Sequence, residues 1–240
     1  MLVNNYKAIS NIYNHLMIEI EYQEWADYIY DIYKKNKLPK GYSLELACGN
    51  GMVAKYLSPK LQHFIISDKS KEMLHTITEF KSNKICFDML YLPLKNKYSF
   101  IYATFDSINY ITDYKKLKLF FKNIDSVLVK GGCFTFDVSL EKNSLIVENE
   151  LNREGIFNGY HYNQQSKYNK KNRIHENSFI IISPEGKHYE EIHIQKIYKF
   201  EDYFKAIDGT KLFVTSCYNS FSFDDAKPTD ERVQFILKKG

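Results

Sequence analysis

The sequence lacks the cysteine pairs and clusters that mark disulfide frameworks and zinc sites. Its four cysteines, in 240 residues, show no CxxC spacing, and each lies in or beside an apolar stretch. Buried free thiols in a reducing compartment account for this pattern, whereas a structural zinc site needs several clustered ligands. We therefore expect no metal site and a cytoplasmic protein.

Long apolar runs and a strong charge bias are also missing. No run approaches the roughly 18 apolar residues of a membrane helix, and the N-terminal MLVNNYKAIS lacks the apolar core of a signal peptide. The formal net charge is only +4, and the lysines are scattered in pairs. A nucleic-acid-binding stripe would concentrate them, so we expect neither a nucleic acid nor a membrane as a partner.

Short apolar runs alternate with helical patterns through the first 140 residues. The strand-like runs are YSLELA (42–47), HFIIS (63–67), KICFD (84–88), SFIYATF (99–105) and GCFTFDV (132–138). Apolar residues recur at helical spacing over 52–58, 70–80 and 113–129, and 6–35 contributes one or two further helices. This alternation predicts an α/β fold with a parallel sheet and helices on both of its faces.

After Val138 the pattern changes to Tyr-rich and Ile-rich strands, with no helices between them over 156–199. The segments 176–183 and 188–198 flank a Pro-Glu-Gly-Lys stretch at 184–187, which predicts a hairpin. A helix at 200–208 and strands at 212–218 and 232–238 then complete the sheet. We predict a core of 1–140 and 200–240, with 141–199 as an inserted antiparallel β lid that forms a substrate subdomain.

The segment LELACGNG (44–51) places Glu45 directly before a glycine-bearing turn, which is where open α/β sheets bind ligands. The turn has neither the third glycine of a dinucleotide fingerprint nor the Gly-Lys-Ser/Thr of a phosphate loop. Asp68 and Asp88 end the next two strands. The first could hold both ribose hydroxyls, and the second could accept from an exocyclic amine of adenine. These three carboxylates indicate a nucleoside ligand that carries no phosphate.

In this order and spacing, ELACGNG, SDKSKEML, CFDMLYLPL and KGGCFTFDV resemble the class I S-adenosylmethionine-dependent methyltransferases. The small-molecule branch related to sugar and amine N-methyltransferases is particularly similar. The resemblance spans nearly the whole chain and includes YKAISNIYNHLM, FDSINYI, EEIHIQKIY and FSFDDAKPTDERVQFILKK. It implies a Rossmann-like, seven-stranded, mostly parallel sheet and S-adenosylmethionine as the cofactor.

The resemblance also implies roles for particular residues. Glu45 would lie near the methionine amino group, Asp68 would hold the ribose, and Asp88 with the Met89 backbone N–H would hold the adenine. The complete set of implied cofactor contacts is Tyr6, Tyr13, Glu45, Ala47, Gly49, Gly51, Asp68, Lys69, Asp88, Met89 and Phe105.

The acceptor side has fewer signals. Asp106 and Asn109 follow the fourth strand, where the substrate meets the methyl group, although a cap or turn role fits them equally well. On the strand 188–198, Glu191, His193 and Gln195 share one face, which is either a solvated or interface face or a face toward the acceptor. The candidate catalytic residues are Tyr13, Asp106 and His193, and the candidate substrate contacts are Asn109, Tyr110, Glu191 and His193.

The predicted chemistry is direct methyl transfer to a small-molecule acceptor, preferably an amine or amino sugar, by a monomer or homodimer. The nucleophile must lie in line with the C–S bond at about 3 Å. An amine needs only to arrive deprotonated, whereas a hydroxyl needs a base such as His193 or a tyrosine. Two alternatives stay open: O-methylation, and an inactive S-adenosylmethionine-binding protein with a regulatory or structural role, for which Asn14 and Ser99 depart from the family pattern.

Overall fold

The computed structural model describes residues 2–3, 5–93 and 98–240, which form two sheets and their flanking helices. The helices are α1 (Tyr13–Leu16), α2 (Tyr22–Lys35), α3 (Met52–Leu57), α4 (Lys71–Thr76), α5 (Tyr114–Val127), α6 (Glu141–Glu150) and α7 (Phe200–Ile207). The strands are β1 (Tyr42–Leu46), β2 (Phe64–Asp68), β3 (Asn83–Cys86), β4 (Tyr98–Ala103), β5 (Leu128–Ser139), β6 (Arg153–Phe157), β7 (Tyr160–Asn169), β8 (Ile174–Ile182), β9 (His188–Lys196), β10 (Leu212–Asn219) and β11 (Arg232–Lys239). Short 3-10 turns cover Ile9–Asn11 and Ser107–Tyr110.

Seven strands form the central sheet in the order β10-β11-β5-β4-β1-β2-β3. The pairs β1–β2, β1–β4, β2–β3 and β4–β5 are parallel, and β11 runs antiparallel to both β5 and β10. This arrangement confirms the predicted Rossmann-like, mostly parallel sheet. The strand order reverses between β1 and β4, so the turns after these two strands meet at the switch point where open α/β sheets bind ligands.

Apolar layers cover both faces of this sheet. On one face α5 and α7 pack against Phe134 and Phe136 of β5, and on the other α2 and α3 pack against Ile66 of β2 and Phe100 of β4. Helix α5 begins where the Asp113 carboxylate accepts two backbone N–H groups of the first turn, at 2.7 and 3.0 Å. Because both faces are closed by helices, the polar groups gather at the strand ends.

The second sheet, here called the inserted sheet, has four antiparallel strands in the order β6-β7-β8-β9. Its β8–β9 turn forms as the proline and glycine predict, since Gly186 has a φ of +77° and donates its N–H to the Ser183 carbonyl at 2.8 Å. The segment 141–150 is the helix α6, although the sequence indicated only strands for the insertion. Helix α4 is shorter than the predicted 70–80, because the backbone is already extended at Ile77, with a ψ of +98°.

The N-terminal segment, residues 5–16, bridges the two sheets. Ala8, Ile9 and Ile12 pack against Phe179 and Ile181 of β8. At its other end the segment contacts the turn after β1, where the Asn50 side-chain amide donates to the Asn14 side-chain oxygen at 2.5 Å. The segment therefore covers the carboxyl ends of the central strands from the side of the inserted sheet.

The cysteines and helices give two further results. All four cysteines are free, and Cys48 and Cys133 are buried, but Cys86 is exposed on the edge strand β3 and Cys217 is half-buried. The expectation of buried thiols is therefore wrong for two of them. Within 2–3, 5–93 and 98–240, no helix has the length and apolar character needed to span a membrane.

Candidate active site

The turn after β1 presses its backbone against the end of α4. Ala47, Gly49 and Gly51 all have left-handed backbone angles, with φ of +52°, +55° and +73°. A Cβ atom at Gly51 would lie 2.9 Å from Cδ1 of Ile77. The left-handed angle and this close approach together favour glycine at position 51 over any residue that carries a side chain.

Asp68, at the end of β2, fastens the same turn. Its carboxylate accepts the N–H of Gly49 at 2.7 Å and the N–H of Ser70 at 2.7 Å. Burial raises the pKa of Asp68, and the backbone hydrogen bonds only partly oppose that rise. Each carboxylate oxygen retains a further lone pair. Asp68 can therefore accept hydrogen bonds from a diol while it holds the turn.

Glu45 lies beneath the turn. The residue is 1% exposed, and its carboxylate accepts the Tyr102 hydroxyl at 2.9 Å. Burial raises the pKa of Glu45 to about 8; the Tyr102 hydrogen bond opposes this shift, and the Asp68 carboxylate adds to it. A cation bound nearby would favour the ionised carboxylate and so lower this pKa.

Asp88 and Lys69 form an ion pair beside the Asp68 turn. The Lys69 ammonium lies 2.8 Å from the Asp88 carboxylate. The Phe87 N–H donates to the Asp68 carbonyl at 3.0 Å, which ties the ends of β2 and β3 together. Met89 follows half-buried and packs against the core on the α5 side. The structure thus places these residues next to each other at one edge of the site.

The turn after β4 has a strained backbone, and charged side chains hold it in place. Phe105 and Asp106 are consecutive left-handed residues, with φ of +57° and +46°, and each such residue costs about 1–3 kcal/mol. The Asp137 carboxylate accepts the Asp106 N–H at 2.8 Å, and the Ser139 hydroxyl donates to the Asp106 carboxylate at 2.5 Å. The Arg232 guanidinium donates to Asp137 and lies 3.5 Å from the Asp106 carboxylate. Asp106 is therefore fixed in place.

Asn109, a predicted substrate contact, supports the structure instead. It is 0% exposed, and its side-chain amide donates to the carbonyls of Ser139 at 3.1 Å and Lys196 at 3.0 Å. Its side-chain oxygen accepts the Ser139 N–H at 3.2 Å. These bonds occupy both amide hydrogens, so Asn109 links the 107–110 turn to β5 and β9 and does not face an acceptor.

Glu191 also differs from its predicted role as a substrate contact. It is 0% exposed, and its carboxylate accepts the backbone N–H groups of Tyr6 at 2.6 Å, of Ile9 at 3.0 Å and of Ala8, as well as the His193 Nε2–H at 3.2 Å. Burial raises the pKa of Glu191, but the hydrogen bonds from His193, Ala8 and Ile9 outweigh it and hold the pKa below its usual range. Glu191 therefore anchors the N-terminal segment to the inserted sheet.

A hydrogen-bonded chain runs from Glu191 through His193 and Tyr110 to Tyr6. The Tyr110 hydroxyl lies 3.2 Å from His193 Nδ1 and 2.9 Å from the Tyr6 hydroxyl. We assign the imidazole proton to Nε2 because Glu191 accepts it there, so Nδ1 accepts from Tyr110. His193 is 3% exposed, which means that the polar face of β9 is buried and is neither a solvated face nor an interface.

Tyr13 lies between the turn that Asp68 holds and the turn after β4. Its ring centroid is 5.9 Å from that of Tyr6. Burial raises the pKa of Tyr13 well above its usual value, and neighbouring tyrosines together with the carboxylates of Asp106 and Asp68 add to the shift. Tyr13 is therefore close both to the turn that Asp68 holds and to the turn after β4.

Sequence reasoning missed Arg232, Asp137 and Ser139. They lie on β11 and β5, and Arg232 is the register partner of Ser139. The pairing joins positions about a hundred residues apart, so no local spacing reveals it. The only available signal was a charged residue in each of two otherwise apolar runs, Arg232 at the start of one and Asp137 near the end of the other.

The comparisons with known proteins agree with this geometry. A family described as a methyltransferase domain matches residues 44–132, from β1 into β5. A solved S-adenosylmethionine-dependent methyltransferase from Clostridium acetobutylicum is 25% identical with a TM-score of 0.80, over 98% of this chain and 99% of that one. Residues 44–132 match a methyltransferase domain, and the protein is an S-adenosylmethionine-dependent methyltransferase.

Two further relatives set the limits of this assignment. YqeM of Bacillus subtilis, named as a candidate methyltransferase, is 23% identical to this methyltransferase over 98% of the chain and 97% of its own length. The sugar N-methyltransferase KedS8 from Streptoalloteichus has a TM-score of 0.72, over 96% of this chain and 92% of that one. Its identity of 14% shows a shared fold alone.

The cofactor of this methyltransferase is S-adenosylmethionine, and the residues at the strand ends fit it. Asp68 has free acceptor capacity for a diol, as a ribose requires. Burial raises the pKa of Glu45 to about 8, and a bound ammonium or sulfonium ion would stabilise its ionised carboxylate. Gly51 lets the turn pack closely against Ile77, where a side chain would not fit.

Proposed function

We propose that this methyltransferase methylates a small amine, preferably an amino sugar, and that the chain from Tyr6 to Glu191 receives the proton that the acceptor loses. The observation that carries the proposal is the chain itself, Tyr6–Tyr110–His193–Glu191, whose links are 2.9, 3.2 and 3.2 Å. Its four members come from the N-terminal segment, the turn after β4 and the inserted sheet, beside the turn that Asp68 holds.

We assign the cofactor contacts to residues at or near the carboxyl ends of β1, β2 and β3. In this proposal Asp68 holds the ribose, Asp88 and the Met89 N–H hold the adenine, and Glu45 lies by the methionine ammonium. When bound, S-adenosylmethionine supplies a methyl group activated by its sulfonium. Ala47, Gly49, Gly51, Lys69 and Phe105 line the cofactor, and Tyr13 separates it from the acceptor.

The chain has a direction, because each hydroxyl donates toward Glu191. With His193 Nδ1 accepting from Tyr110, and Tyr110 accepting from Tyr6, the Tyr6 oxygen keeps lone pairs for an N–H donor. An ammonium acceptor gives its proton to Tyr6, Tyr6 gives one to Tyr110, and Tyr110 gives one to His193. Glu191 stabilises the resulting imidazolium, as a carboxylate does beside a catalytic histidine.

The tyrosines act as proton carriers, since burial raises the pKa values of both Tyr6 and Tyr110. Both are therefore neutral phenols near neutral pH, and the base at the end of the chain is His193. Proton transfer by a positioned side chain typically accelerates a reaction about 10²–10⁴-fold.

The charges around the acceptor favour a cation. The Asp68 and Asp106 carboxylates both lie close enough to Tyr13 to add to the rise of its pKa. An amine that arrives as an ammonium ion is attracted by these carboxylates and must lose a proton before it can attack. The fold-level likeness to a protein titled as a sugar N-methyltransferase supports the same acceptor class.

A matched acceptor panel tests this function. S-adenosylhomocysteine release should be measured with aliphatic amines and amino sugars and with the alcohols and sugars that replace the amine by a hydroxyl. We expect the amines to be the better acceptors. Preference for the alcohols would establish the O-methyltransferase alternative, and release from neither, with S-adenosylhomocysteine binding retained in calorimetry, would favour an inactive cofactor-binding protein.

The cellular setting is part of the proposal as well. Free cysteines and scattered lysines support a cytoplasmic enzyme that acts on a small molecule, without a nucleic-acid or membrane partner. We propose a monomer or homodimer, which light scattering would test.

A further inference from the structure

The strained turn after β4 is fixed by one buried carboxylate. Asp137 is 1% exposed, and it accepts the Asp106 N–H at 2.8 Å on the same oxygen that receives the Arg232 guanidinium. Burial raises the pKa of Asp137 to about 6, although the nearby Arg232 charge opposes that rise. Arg232 thus helps keep ionised the carboxylate that holds the turn.

Arg232 contacts the turn from a second side. Its guanidinium lies 3.5 Å from the Asp106 carboxylate and 5.6 Å from the centre of the Trp25 ring. Trp25 in turn packs against Phe105, with ring centroids 4.4 Å apart. Both left-handed residues of the turn are therefore held, Asp106 by charge and hydrogen bonds and Phe105 by its contact with the tilted Trp25 ring.

We propose that Arg232 and Asp137 are positioning residues for methyl transfer: together they hold the Phe105–Asp106 turn so that the Asp106 carboxylate faces the acceptor. This inference rests on the proposed function and on the prediction from the sequence that Asp106 is a catalytic residue. The turn is strained, so it keeps its shape only while its surroundings determine it. Loss of the ion pair releases the turn and moves Asp106, and a displacement of about 1 Å in such a group lowers turnover about 10²-fold.

The test compares three variants by turnover, cofactor affinity and tryptophan fluorescence. Asp137→Asn keeps the size of the side chain and removes its charge. Arg232→Lys keeps the charge but removes the planar guanidinium, whose several N–H groups can bind two carboxylates at once. Lys238→Met, on the same strand β11, is the matched control, because Lys238 donates to the Asn36 carbonyl, away from the turn. Trp25 is the only tryptophan, so its fluorescence reports on the turn without any acceptor.

We expect Asp137→Asn and Arg232→Lys to lower kcat about 10²-fold, with the KM for the acceptor and the affinity for S-adenosylhomocysteine changed less than about threefold. Asp137 binds the Asp106 N–H, and Phe105 packs against Trp25, so increased acrylamide quenching in Asp137→Asn would show that the turn has loosened. Lys238→Met should match the wild type in both measurements.

The quenching result decides the inference even if no amine is methylated. If the wild type turns over no amine, the proposed function fails, and the anchoring of the turn is judged by quenching alone. Wild-type quenching in Asp137→Asn, at an unchanged melting temperature, overturns the inference. So does a loss of stability with kcat unchanged, because that outcome makes the pair purely structural.

Discussion

The two halves of the proposed site, a cofactor half and an acceptor half, are built in different ways. The cofactor half comes from consecutive strand ends within residues 45–89, where Glu45, Asp68 and Asp88 end or follow β1, β2 and β3. The acceptor half joins four distant stretches: the N-terminal segment, the turn after β4, β9 and the start of β11. The first arrangement follows from the topology of a parallel sheet, whereas the second depends on tertiary contacts between segments that share no local pattern.

The carboxylates of the two halves also differ in the hydrogen bonds that they accept and in the direction of their pKa shifts. Asp68 and Glu45 have burial-raised pKa values and, between them, hydrogen bonds from two amides and one hydroxyl. Glu191 accepts three backbone amides and an imidazole, and its pKa is lowered. The cofactor half is therefore prepared for an incoming cation, while the carboxylate of the acceptor half is already neutralised by the protein and serves to position other groups.

The largest effect that we expect is on the acceptor half. His193→Ala removes the base at the end of the chain, so turnover should fall about 10²–10⁴-fold at a pH where the acceptor is an ammonium ion. The loss should shrink as the pH rises and the amine arrives already deprotonated. Rates measured from S-adenosylhomocysteine release across pH will test this.

Two controls separate this role from a structural one. His161→Ala alters an exposed histidine of β7 and should leave the pH profile unchanged. Cofactor affinity in His193→Ala should stay near that of the wild type, since the proposed cofactor residues lie on other strands. Full turnover by His193→Ala at every pH would remove His193 from the mechanism and leave the acceptor to the tyrosines.

The next effect concerns Glu45 and stability. Burial raises its folded pKa to about 8, from a usual value of 4.5, so the folded protein favours the protonated carboxyl. The stabilising effect is complete below about pH 4.5 and is lost as the pH rises to about 8, by up to roughly 4–5 kcal/mol at 1.36 kcal/mol per pKa unit. Denaturant unfolding of the wild type against Glu45→Gln will measure it.

The variant and the ligand should both weaken this pH dependence. Glu45→Gln cannot ionise, so its free energy of unfolding should vary less with pH between 4.5 and 8 than that of the wild type. Saturating S-adenosylmethionine should flatten the wild-type curve as well, because its ammonium favours the ionised carboxylate. Equal slopes for the wild type and the variant would mean that Glu45 is ionised throughout.

The sequence predicted the central sheet better than the contacts that hold the acceptor half together. Alternating apolar runs predicted β1 to β5, and a carboxylate at or just beyond the carboxyl end of a parallel strand must lie at the sheet edge whatever the rest of the chain does. Asn109 was placed against the acceptor because it follows the fourth strand. Glu191 was placed there because strand alternation shows which residues share a face but not what covers that face. Arg232 and Asp137 were missed because their contact depends on the β5–β11 register, and α6 because its apolar pattern is weak.

The smallest effect that we expect is on the cofactor half. Asp68→Ala removes a charged acceptor for the two ribose hydroxyls, so S-adenosylhomocysteine should bind about 1.5–3 kcal/mol more weakly in calorimetry. Asp68 also holds the Gly49 and Ser70 amides, so part of this loss could come from a loosened turn.

Asp68→Asn separates the two causes, because the amide oxygen can still accept one backbone N–H while the charge is gone. We expect Asp68→Asn to keep the melting temperature closer to that of the wild type and yet to bind the ligand more weakly. Glu79→Ala, which removes an exposed carboxylate paired with Lys55, should leave affinity unchanged. If Asp68→Asn binds as tightly as the wild type, the carboxylate serves the turn alone, and the ribose must be held by another group.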